Sequence, residues 1–330
     1  MTCPVYGRKV LMHLCIKWCS GASLGIREIK TTPHWHGRPK NLQVMAKNAA
    51  NTDINYHSND FNFHSWAIYA RDSFCLPPIS CSISNPTDNC ELDEERKNWE
   101  SFFVNHKSGN FFRPRNYLLS EFSKWFSTLF FCAESKWSSV IVTEVGCGYG
   151  CSMYPLLRDM PRLTTYMATD YSATALTILR ENAAFDDSRC RTVTWDVTLP
   201  PNITETALQL SNAILCIFAL SAVRPEQHIS AFCNMSSVLK PGGVILFRDY
   251  GVHDMTMYRH KIRHSENLFE RSDKTLAYYF SVEYLKQIAN TAGLSVIELE
   301  YATIEMRNRK LTKCMKRVFV HAVFRKDNND

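Results

Sequence analysis

One stretch, residues 140–150 with the sequence VIVTEVGCGYG, constrains the fold more than any other part of the chain. Its β-branched first half predicts a buried strand that runs directly into a turn containing Gly146, Gly148 and Gly150. Glycines permit positive φ angles and let a ligand approach the backbone closely. The third glycine lies one residue earlier than in the GxGxxG motif of nicotinamide-dinucleotide proteins. The stretch therefore predicts a different ligand-binding turn, and the alternative is a tight turn without a ligand.

Two acidic residues flank this turn in the predicted sheet. Glu144 lies two residues before the first glycine, and Asp170 closes the next predicted strand. A carboxylate before the loop can hold an α-amino group, and one after the second strand can accept hydrogen bonds from a ribose diol. Together the two acids favour S-adenosylmethionine (SAM) as the cofactor.

The alternation of strand and helix patterns after residue 140 predicts an α/β fold, a doubly wound sheet of seven strands. The predicted strands cover residues 140–145, 165–170, 191–196, 212–219, 244–248, 294–300 and 317–324. The predicted helices cover residues 153–160, 173–184, 225–239 and 281–292. Ser172 is the expected N-cap of the second of these helices, and residues 240–243 (KPGG) are the expected stop of the third.

Ligands of such sheets bind beyond the carboxyl ends of the strands, near the point where the strand order reverses. We expect Asp170 to bind the ribose of an adenosine and Asp196 to bind its exocyclic amine. Val197, with Ile217 or Phe218, would contact the flat faces of the adenine. Each acid taken alone is explained equally well as a helix N-cap, whereas the set favours a ligand site.

Length and composition indicate one main domain with an extension. The chain has 330 residues, and the Pro-, Ser- and acid-rich residues 76–95 read as a linker. We place a basic extension and linker at 1–90 and the main domain at 91–330, with a helical cap at 91–135 and an insert at 250–280. Residues 1–52 carry eight Lys or Arg and one acid, as in mitochondrial transit peptides or disordered basic arms. A cytoplasmic protein is expected, with mitochondrial import as the alternative.

Cysteine spacing and hydropathy predict neither a metal site nor a membrane anchor. The 13 cysteines contain no C-x-x-C pair, and without a secretory signal they read as reduced intracellular thiols. His34 and His36 are expected to be surface residues. The longest apolar run, residues 213–223, is too short to span a bilayer. The net charge of +6 permits an anionic partner without requiring one.

The segment before the glycine turn combines arginines with aromatic residues. Residues 98–106 predict an amphipathic helix, and residues 110–122 place Arg113 and Arg115 among phenylalanines and a tyrosine. Arginines interleaved with aromatic residues suit contacts with a cofactor and with nucleic acid. The alternative is that the phenylalanines belong to the core and the arginines are solvated.

Several short segments together resemble one known family. They are residues 98–99 (NW), 110–115 (NFFRPR), 121–122 (EF), 144–150 (EVGCGYG), 169–172 (TDYS), 196–198 (DVT), 218–222 (FALSA), 239–243 (LKPGG), 246–251 (LFRDYG), 265–267 (SEN), 278–280 (YYF) and 317–319 (RVF). On these segments, residues 96–326 resemble the tRNA 3-methylcytidine methyltransferases, SAM-dependent enzymes that modify an anticodon-loop cytidine. The glycine loop is common to many methyltransferases, whereas residues 246–251 are the most specific match.

The resemblance implies methyl transfer to cytosine N3. This atom carries an in-plane lone pair at neutral pH, so alignment and desolvation can promote the reaction without a general base. Because the product base is cationic, we predict that the Asp249 carboxylate stabilises the transition state, with Tyr250 bordering the same pocket. Arg115 is expected beside the cofactor and the target base. The base must be unpaired or flipped out, since N3 lies on its pairing edge.

The candidate binding residues form two sets. The residues predicted to bind the cofactor are Trp99, Phe103, Arg115, Tyr117, Glu144, Gly146, Gly148, Gly150, Cys151, Asp170, Tyr171, Asp196, Val197, Ile217 and Phe218. The residues predicted to bind RNA are Arg113, Arg259, Lys261, Arg263, Arg307, Arg309, Lys310, Lys313, Lys316 and Arg317. Basic clusters that flank a methyltransferase core favour phosphate contacts, and the alternative is a solvated surface.

The resemblance also bears on partners. A tRNA anticodon arm is the expected substrate, and residues 307–311 (RNRKL) lean towards threonine or arginine isoacceptors. A synthetase or an accessory protein stays open as a further partner.

The chain departs from the family pattern in the predicted cap. Residues 111–117 read FFRPRNY where the family typically has FFKDRHW, and Cys151 stands where an asparagine usually follows the third glycine. The placement of Arg115 and Tyr117 depends on these positions. Two alternatives therefore stay open, a methyltransferase that acts on a small molecule and a non-catalytic RNA-binding relative.

Overall fold

The computed structural model describes residues 59–80, 89–109, 111–131, 140–161, 163, 165–202, 208–308 and 313–328. The predicted basic leader at 1–52 lies outside these residues, as do Arg309 and Lys310. The side chains of Arg307 and Lys313 also lie outside the described part of the structure.

The described residues form helices around a main sheet and a small second sheet. The helices are α1 (Phe63–Ser73), α2 (Asn89–Asn105), α3 (Leu118–Glu121), α4 (Ser123–Phe131), α5 (Met153–Asp159), α6 (Ala173–Glu181), α7 (Pro225–Ser237) and α8 (Val282–Thr291). The strands are β1 (Ile141–Val145), β2 (Thr165–Asp170), β3 (Cys190–Thr194), β4 (Ser211–Ile217), β5 (Leu239–Tyr250), β6 (Ile262–Arg263), β7 (Leu268–Glu270), β8 (Leu276–Tyr278), β9 (Leu294–Asn308) and β10 (Lys313–Lys326).

The main sheet has seven strands in the order β3-β2-β1-β4-β5-β10-β9, which confirms the predicted doubly wound architecture. Strands β1 to β5 pair in parallel, and β10 runs antiparallel between β5 and β9. The strand order reverses between β1 and β4. Ligands of open α/β sheets bind at the carboxyl ends beside such a reversal, which here means the end of β1 and the glycine turn.

Local sequence explains where the helices begin, and strand pairing changes some predicted ends. The Ser172 Oγ accepts a hydrogen bond from the Ala175 amide at 3.0 Å, so its predicted role as the N-cap of α6 is confirmed. Helix α7 ends at Ser237, and the KPGG residues that follow already belong to β5. Strands β9 and β10 extend well beyond the predicted 294–300 and 317–324, because each supplies the other with a partner along a long antiparallel ladder.

Two apolar clusters cover the two faces of the sheet. One contains Phe232 of α7 and Leu285 of α8 packed against Phe247 of β5. The other contains Phe122, which follows α3, and Met153 of α5. The strands between them are buried on both faces, as β4 is along its whole length, which explains their continuous apolar sequence.

Part of the predicted extension packs onto the sheet. Asn59 forms a β-bridge with Thr303, and Trp66 of α1 is buried against Val318 of β10. The Trp66 indole also donates a hydrogen bond to the His253 carbonyl at 2.8 Å. The predicted boundary near residue 90, between the extension and the main domain, stays a prediction. Residues 59–80 nevertheless contact the main domain.

The insert after β5 contains structure that no sequence pattern predicted. Strands β6, β7 and β8 form a small antiparallel sheet within residues 250–280. A bridge between Gly251 and Phe280 closes the base of the insert. The insert therefore starts and ends beside the carboxyl end of β5.

A buried charge network connects the helical cap to the sheet. Arg248 of β5 and His321 of β10 lie opposite each other in the ladder, and both side chains bond to Glu121 Oε1 of α3. The second nitrogen of His321 lies 3.2 Å from Glu298 Oε2 on β9. Burial alone would raise the pKa of Glu121, but the charge of Arg248 and the hydrogen bond from His321 lower it. One carboxylate thus fixes α3 to two strands.

This network predicts a pH dependence of stability. Burial opposes the charged form of His321, but hydrogen bonds and charges from Glu121 and Glu298 outweigh it and raise the pKa of His321 above 6.5. A raised folded-state pKa stabilises the fold below about 6.5, and that contribution is lost as the pH rises through the folded-state value. The free energy of unfolding of wild type minus that of His321→Phe should therefore shrink as the pH rises above 6.5. Urea unfolding across pH measures this difference, and a difference that does not change with pH would contradict the assignment. The Phe variant retains the ring stacking on Phe122.

Candidate active site

The glycine turn after β1 brings the ends of β1 and β4 into contact. Gly146 has φ 64°, and a Cβ atom there would lie 2.7 Å from the Ala219 Cβ atom. Only glycine suits both the backbone angle and this close approach. At Gly150, with φ 90°, a Cβ atom would lie 2.6 Å from the Tyr154 ring. The glycines predicted to make room for a ligand therefore also make room for neighbouring protein atoms.

Asp170 fixes the turn at the end of β2. One carboxylate oxygen accepts the Gly148 amide at 2.9 Å, and the other accepts the Ser172 amide at 2.9 Å. The residue is buried but lines a cavity of about 520 Å³ beyond the strand ends. Burial raises the pKa of Asp170 to about 6 in spite of these hydrogen bonds. Above that pH a carboxylate therefore faces the cavity.

Most of the predicted site residues line this one cavity. They are Trp99, Phe103, Arg113, Arg115, Tyr117, Gly146, Gly148, Cys151, Asp170, Tyr171, Asp196, Val197, Phe218 and Tyr250. These residues come from the helical cap, the glycine turn, the ends of β2 to β5 and the loops that follow them. Residues that are far apart in the chain thus meet at one cavity, and their contacts with a cofactor or an RNA stay predictions.

Glu144 is placed differently from the prediction. It is completely buried and does not line the cavity; the Tyr166 hydroxyl donates to Glu144 Oε2 at 2.7 Å. Its Oε1 atom has no hydrogen-bond partner among the described residues and lies 4.0 Å from the Arg115 Nη1 atom. Burial raises the pKa of Glu144 to about 7. Its observed contacts are with Tyr166 and Arg115, and its contact with a ligand amino group stays a prediction.

Two further predicted cofactor residues also lie outside the cavity wall. The Tyr154 ring fills the space beside Gly150, and Ile217 is buried in the core. The Ile217 carbonyl nevertheless accepts a hydrogen bond from Arg115 Nη1 at 2.8 Å. Ile217 thus acts through its backbone, because it points its side chain into the apolar layer.

Arg115 crosses from the cap to the sheet and fixes one wall of the cavity. Its amide donates to the Cys151 carbonyl at 2.8 Å, and its Nη1 atom also donates to Ser152 Oγ at 3.1 Å. The guanidinium carbon lies 5.2 Å from the centre of the Phe218 ring. Phe218 itself has φ 53°, a strained angle for a residue with a Cβ atom. These contacts hold an aromatic ring and a cation in defined positions at the cavity.

Asp249 lies behind the cavity wall, whereas the prediction placed it at the target ring. It is completely buried, and its oxygens accept the Ser221 and Tyr250 amides, each at 2.9 Å. Ser221 and Tyr250 do line the cavity. Burial raises the pKa of Asp249 to about 6, although these hydrogen bonds favour its ionised form. The geometry therefore supports a positioning role for Asp249, and its effect on transition-state charge stays a prediction.

Asp196 is already paired on the cavity wall. Its Oδ2 atom lies 2.6 Å from Arg96 Nη2 of helix α2, and its Oδ1 atom accepts the Thr198 amide at 2.9 Å. Sequence reasoning missed Arg96, because only the packing of α2 over the strand ends brings it to Asp196. The predicted contact of Asp196 with an exocyclic amine would have to share the carboxylate with this arginine.

The insert supplies cavity residues that the sequence analysis missed. Arg271 and Asp273, in the turn between β7 and β8, line the cavity beside Tyr250. Ser221 and Trp195 are further lining residues that were not predicted. The two insert residues lie outside the regular strand-to-helix pattern, so no spacing signal could have assigned them.

The predicted RNA-binding residues divide into exposed and engaged side chains. Arg113, Arg259 and Lys261 are exposed. Arg317 instead pairs with Asp254 at 2.8 Å, and Lys316 lies 4.7 Å from the centre of the Phe61 ring. Arg263 donates to the carbonyls of Ser265 and Glu266 and so closes its own turn. Arg317, Lys316 and Arg263 thus make contacts within the protein, which the prediction of a solvent-exposed RNA-binding surface did not include.

The described residues contain neither a candidate metal site nor a membrane-spanning helix. Within them, no group of His, Cys, Asp and Glu side chains has an arrangement that could hold a metal ion. None of the helices in this part of the chain has the length and apolar character needed to cross a membrane.

Known proteins resemble this chain over most of its length. A methyltransferase domain family matches residues 142–243. The Mus musculus tRNA N(3)-cytidine methyltransferase METTL6 is 35% identical over 239 residues, which cover 72% of this chain and 83% of that protein. The Drosophila melanogaster tRNA N(3)-methylcytidine methyltransferase Mettl2 is 33% identical over 282 residues, covering 81% and 84%. The Saccharomyces cerevisiae tRNA(Thr) (cytosine(32)-N(3))-methyltransferase is 31% identical over 234 residues, covering 68% and 36%.

The chain belongs to the tRNA N(3)-cytidine methyltransferase family. It is a SAM-dependent methyltransferase, and the cavity fits that cofactor in size and chemistry. The Asp170 carboxylate and the glycine turn face one end of the cavity, and aromatic side chains such as Trp99 and Tyr171 line the walls. A nucleoside with a polar amino-acid arm needs this mixture of apolar walls and a few placed polar groups.

Asp170 predicts the pH dependence of cofactor binding. A ribose hydroxyl donates best to an ionised carboxylate, so affinity should fall as the pH drops through about 6, the pKa of Asp170. At neutral pH Asp170→Asn should weaken binding of S-adenosylhomocysteine about ten- to hundredfold, since hydrogen bonds to charged groups contribute roughly 1.5–3 kcal/mol. Titration calorimetry measures both effects.

Asp249→Asn is the matched control for this experiment, because Asp249 has a similarly raised pKa but does not line the cavity. It should retain the affinity and the pH dependence of the wild type. Unchanged affinity in Asp170→Asn would refute the ribose assignment.

Proposed function

We propose that this protein transfers the methyl group of SAM to N3 of a cytidine in tRNA. The proposal rests chiefly on one observation: the cavity joins the glycine turn and Asp170 to an aromatic wall of Phe218 and Tyr250. Relatives that match the chain over most of their length carry this activity in their names. A nucleotide drawn from an RNA loop can stack on such rings while its edge faces the cofactor.

The chemistry requires orientation more than proton transfer. SAM supplies an electrophilic methyl group when it is bound. Cytosine N3 offers a lone pair without losing a proton, so the side chains need only exclude water and hold the ring in line. Phe218, Tyr250 and Arg115 are fixed by the contacts described above and suit that task. A Ser-His-Asp or Cys-His arrangement is not required for this reaction.

The buried carboxylates suit the charge that develops. The base takes up the positive charge of the sulfonium as the N–C bond forms and the methyl–sulfur bond breaks, which leaves a neutral thioether. Fixed negative charges near the base lower the transition-state energy. Asp249 has no solvent exposure. Its pKa is about 6, so at pH 7 its carboxyl group is mostly ionised. Because its two oxygens hold the amides of Ser221 and Tyr250, it also sets the wall against which the base would lie.

The proposal extends to an anticodon-loop cytidine. Loop bases are unpaired, so their N3 edges are available at less cost than those in a stem. We propose threonine isoacceptors as the first substrates to test, because the yeast relative is named for tRNA(Thr) and cytosine 32. Arginine isoacceptors, indicated by residues 307–311, form the second group.

Incubation of the protein with unfractionated tRNA and isotope-labelled SAM tests the activity. We expect label in 3-methylcytidine after digestion and mass spectrometry, and we expect fragment mapping to place it in an anticodon loop. Asp170→Ala should give no labelled product, because it removes the acceptor that fixes the turn and the ribose. Label found only in another nucleoside, or none in tRNA under conditions where the protein binds S-adenosylhomocysteine, would refute the proposed function.

Asp249→Asn tests the carboxylate behind the wall. We expect near-normal cofactor affinity with a methylation rate reduced at least tenfold, which corresponds to about 1.4 kcal/mol of transition-state stabilisation. Single-turnover kinetics with saturating tRNA separates this loss from weaker RNA binding. Near-wild-type turnover would remove Asp249 from the mechanism.

A further inference from the structure

Arg271 is a cavity residue that forms no ion pair among the described residues, although its charge favours the ionised form of Asp249. It lies in the turn between β7 and β8, where its amide donates to the Thr275 carbonyl at 2.8 Å. The residue is half-buried and lines the cavity together with Tyr250. The insert therefore presents a guanidinium group at the cavity, beside the Tyr250 ring.

The other arginines near the cavity have partners that Arg271 lacks. Arg96 pairs with Asp196, Arg317 pairs with Asp254, and Arg115 bonds to the Ile217 carbonyl. Among the described residues, Arg271 forms no ion pair, and its side chain donates one long hydrogen bond, 3.3 Å to Thr275 Oγ1. Arg113 also has no ion pair there, but its side chain is exposed, so solvent screens its charge.

The turn holds Arg271 in place without neutralising it. Its guanidinium carbon lies 5.6 Å from the centre of the Tyr250 ring, and Thr275 is itself held by Asp273 through bonds of 2.7 and 3.1 Å. The Asn98 side chain donates to the Lys274 carbonyl at 3.2 Å and joins the turn to α2. Asp273 is exposed, and its Oδ1 atom accepts the hydrogen bonds from Thr275. A cation that is held in place and forms no ion pair among the described residues suits an anionic ligand.

We propose that Arg271 binds a backbone phosphate of the RNA beside the target nucleotide. The inference rests on the proposed function and identifies the group that holds the flipped nucleotide at the cavity. A guanidinium fork matches two phosphate oxygens, whereas the edges of a cytosine carry no full charge. The carboxylate of the cofactor is the competing anion. Arg115 bonds to Cys151 and Ser152, which directly follow the glycine turn, so we expect Arg115 and not Arg271 to meet that carboxylate.

The salt dependence of RNA binding tests this role. Each phosphate contact with a single strand contributes about 0.7 to the slope of log K against log salt concentration. Filter binding of radiolabelled unfractionated tRNA, with S-adenosylhomocysteine present, should give Arg271→Gln a slope that is shallower than wild type by about 0.7. Arg271→Lys, which keeps the charge, should keep the wild-type slope. Arg191→Gln, an exposed arginine of β3 outside the cavity wall, is the matched control and should also keep it.

The possible results separate this proposal from the proposed function. An unaltered slope in Arg271→Gln, with weaker methylation, would overturn the phosphate contact in favour of contact with the base. Loss of S-adenosylhomocysteine affinity in Arg271→Gln would overturn it in favour of the cofactor carboxylate.

If wild type binds tRNA but does not methylate it, the proposed function fails while the slope still decides the role of Arg271. If wild type does not bind tRNA, both fail. If Arg271→Gln does not fold, the salt-dependence slope of Arg271→Lys decides the question. A slope equal to that of the wild type would support a charge-dependent contact. A slope shallower by about 0.7 would overturn it.

Discussion

The geometry of the site depends on the buried ion pair between Glu121 and Arg248. The two residues are more than a hundred positions apart, and their pairing fixes the helical cap to the strand that continues into Asp249 and Tyr250. His321 completes the arrangement from the neighbouring strand at 2.9 Å. Removing one member of a buried pair costs about 3–5 kcal/mol, because the remaining charge keeps its desolvation penalty. The pair therefore helps to hold the cap, and with it Tyr117, beside the cavity.

The same ion pair shapes the aromatic surroundings of the cavity. The Arg248 guanidinium carbon lies 5.4 Å from the centre of the Tyr117 ring and 4.7 Å from that of Phe319. Phe319 in turn contacts Phe218 and Tyr250, with ring centres 5.5 and 6.2 Å apart. A charge buried behind the wall thus sets the positions of rings on it. The completely buried Arg248 therefore contributes to the aromatic wall without lining the cavity itself.

The acids at the strand ends show why two interpretations of one residue need not compete. Asp170 and Asp196 each accept the amide two residues ahead, which is the local capping role expected of an isolated acid. Both also line the cavity, so the turn that holds the carboxylate also places it at the cavity wall. Asp249 differs, because its two amide bonds turn it away from the cavity and leave Ser221 and Tyr250 in front of it.

The sequence was sufficient for the features that repeat along the chain. The seven strands of the main sheet, the glycine turn and the N-cap at Ser172 follow from hydrophobic patterning and local hydrogen bonding, and these predictions are confirmed. Arg96 and Arg271 were not predictable, because helix α2 and a turn of the insert bring them to the cavity only through tertiary packing. Burial was also hard to predict. Asp249 and Glu144 carry charges that suggested ligand contacts, yet both are completely enclosed.

The departures from the family pattern in the cap are accommodated by this packing. The Cys151 carbonyl, and not its thiol, receives the Arg115 amide, so the side chain at this position does not decide where Arg115 lies. The Asn116 side chain accepts a hydrogen bond from Arg158 at 3.3 Å on the outside of the cap. Tyr117 keeps an aromatic ring beside Arg248 where the family has a tryptophan, and both rings offer a face to a cation. Because Arg115, Phe218 and Tyr250 still converge on one cavity, the altered segment gives little reason to regard the protein as a non-catalytic relative.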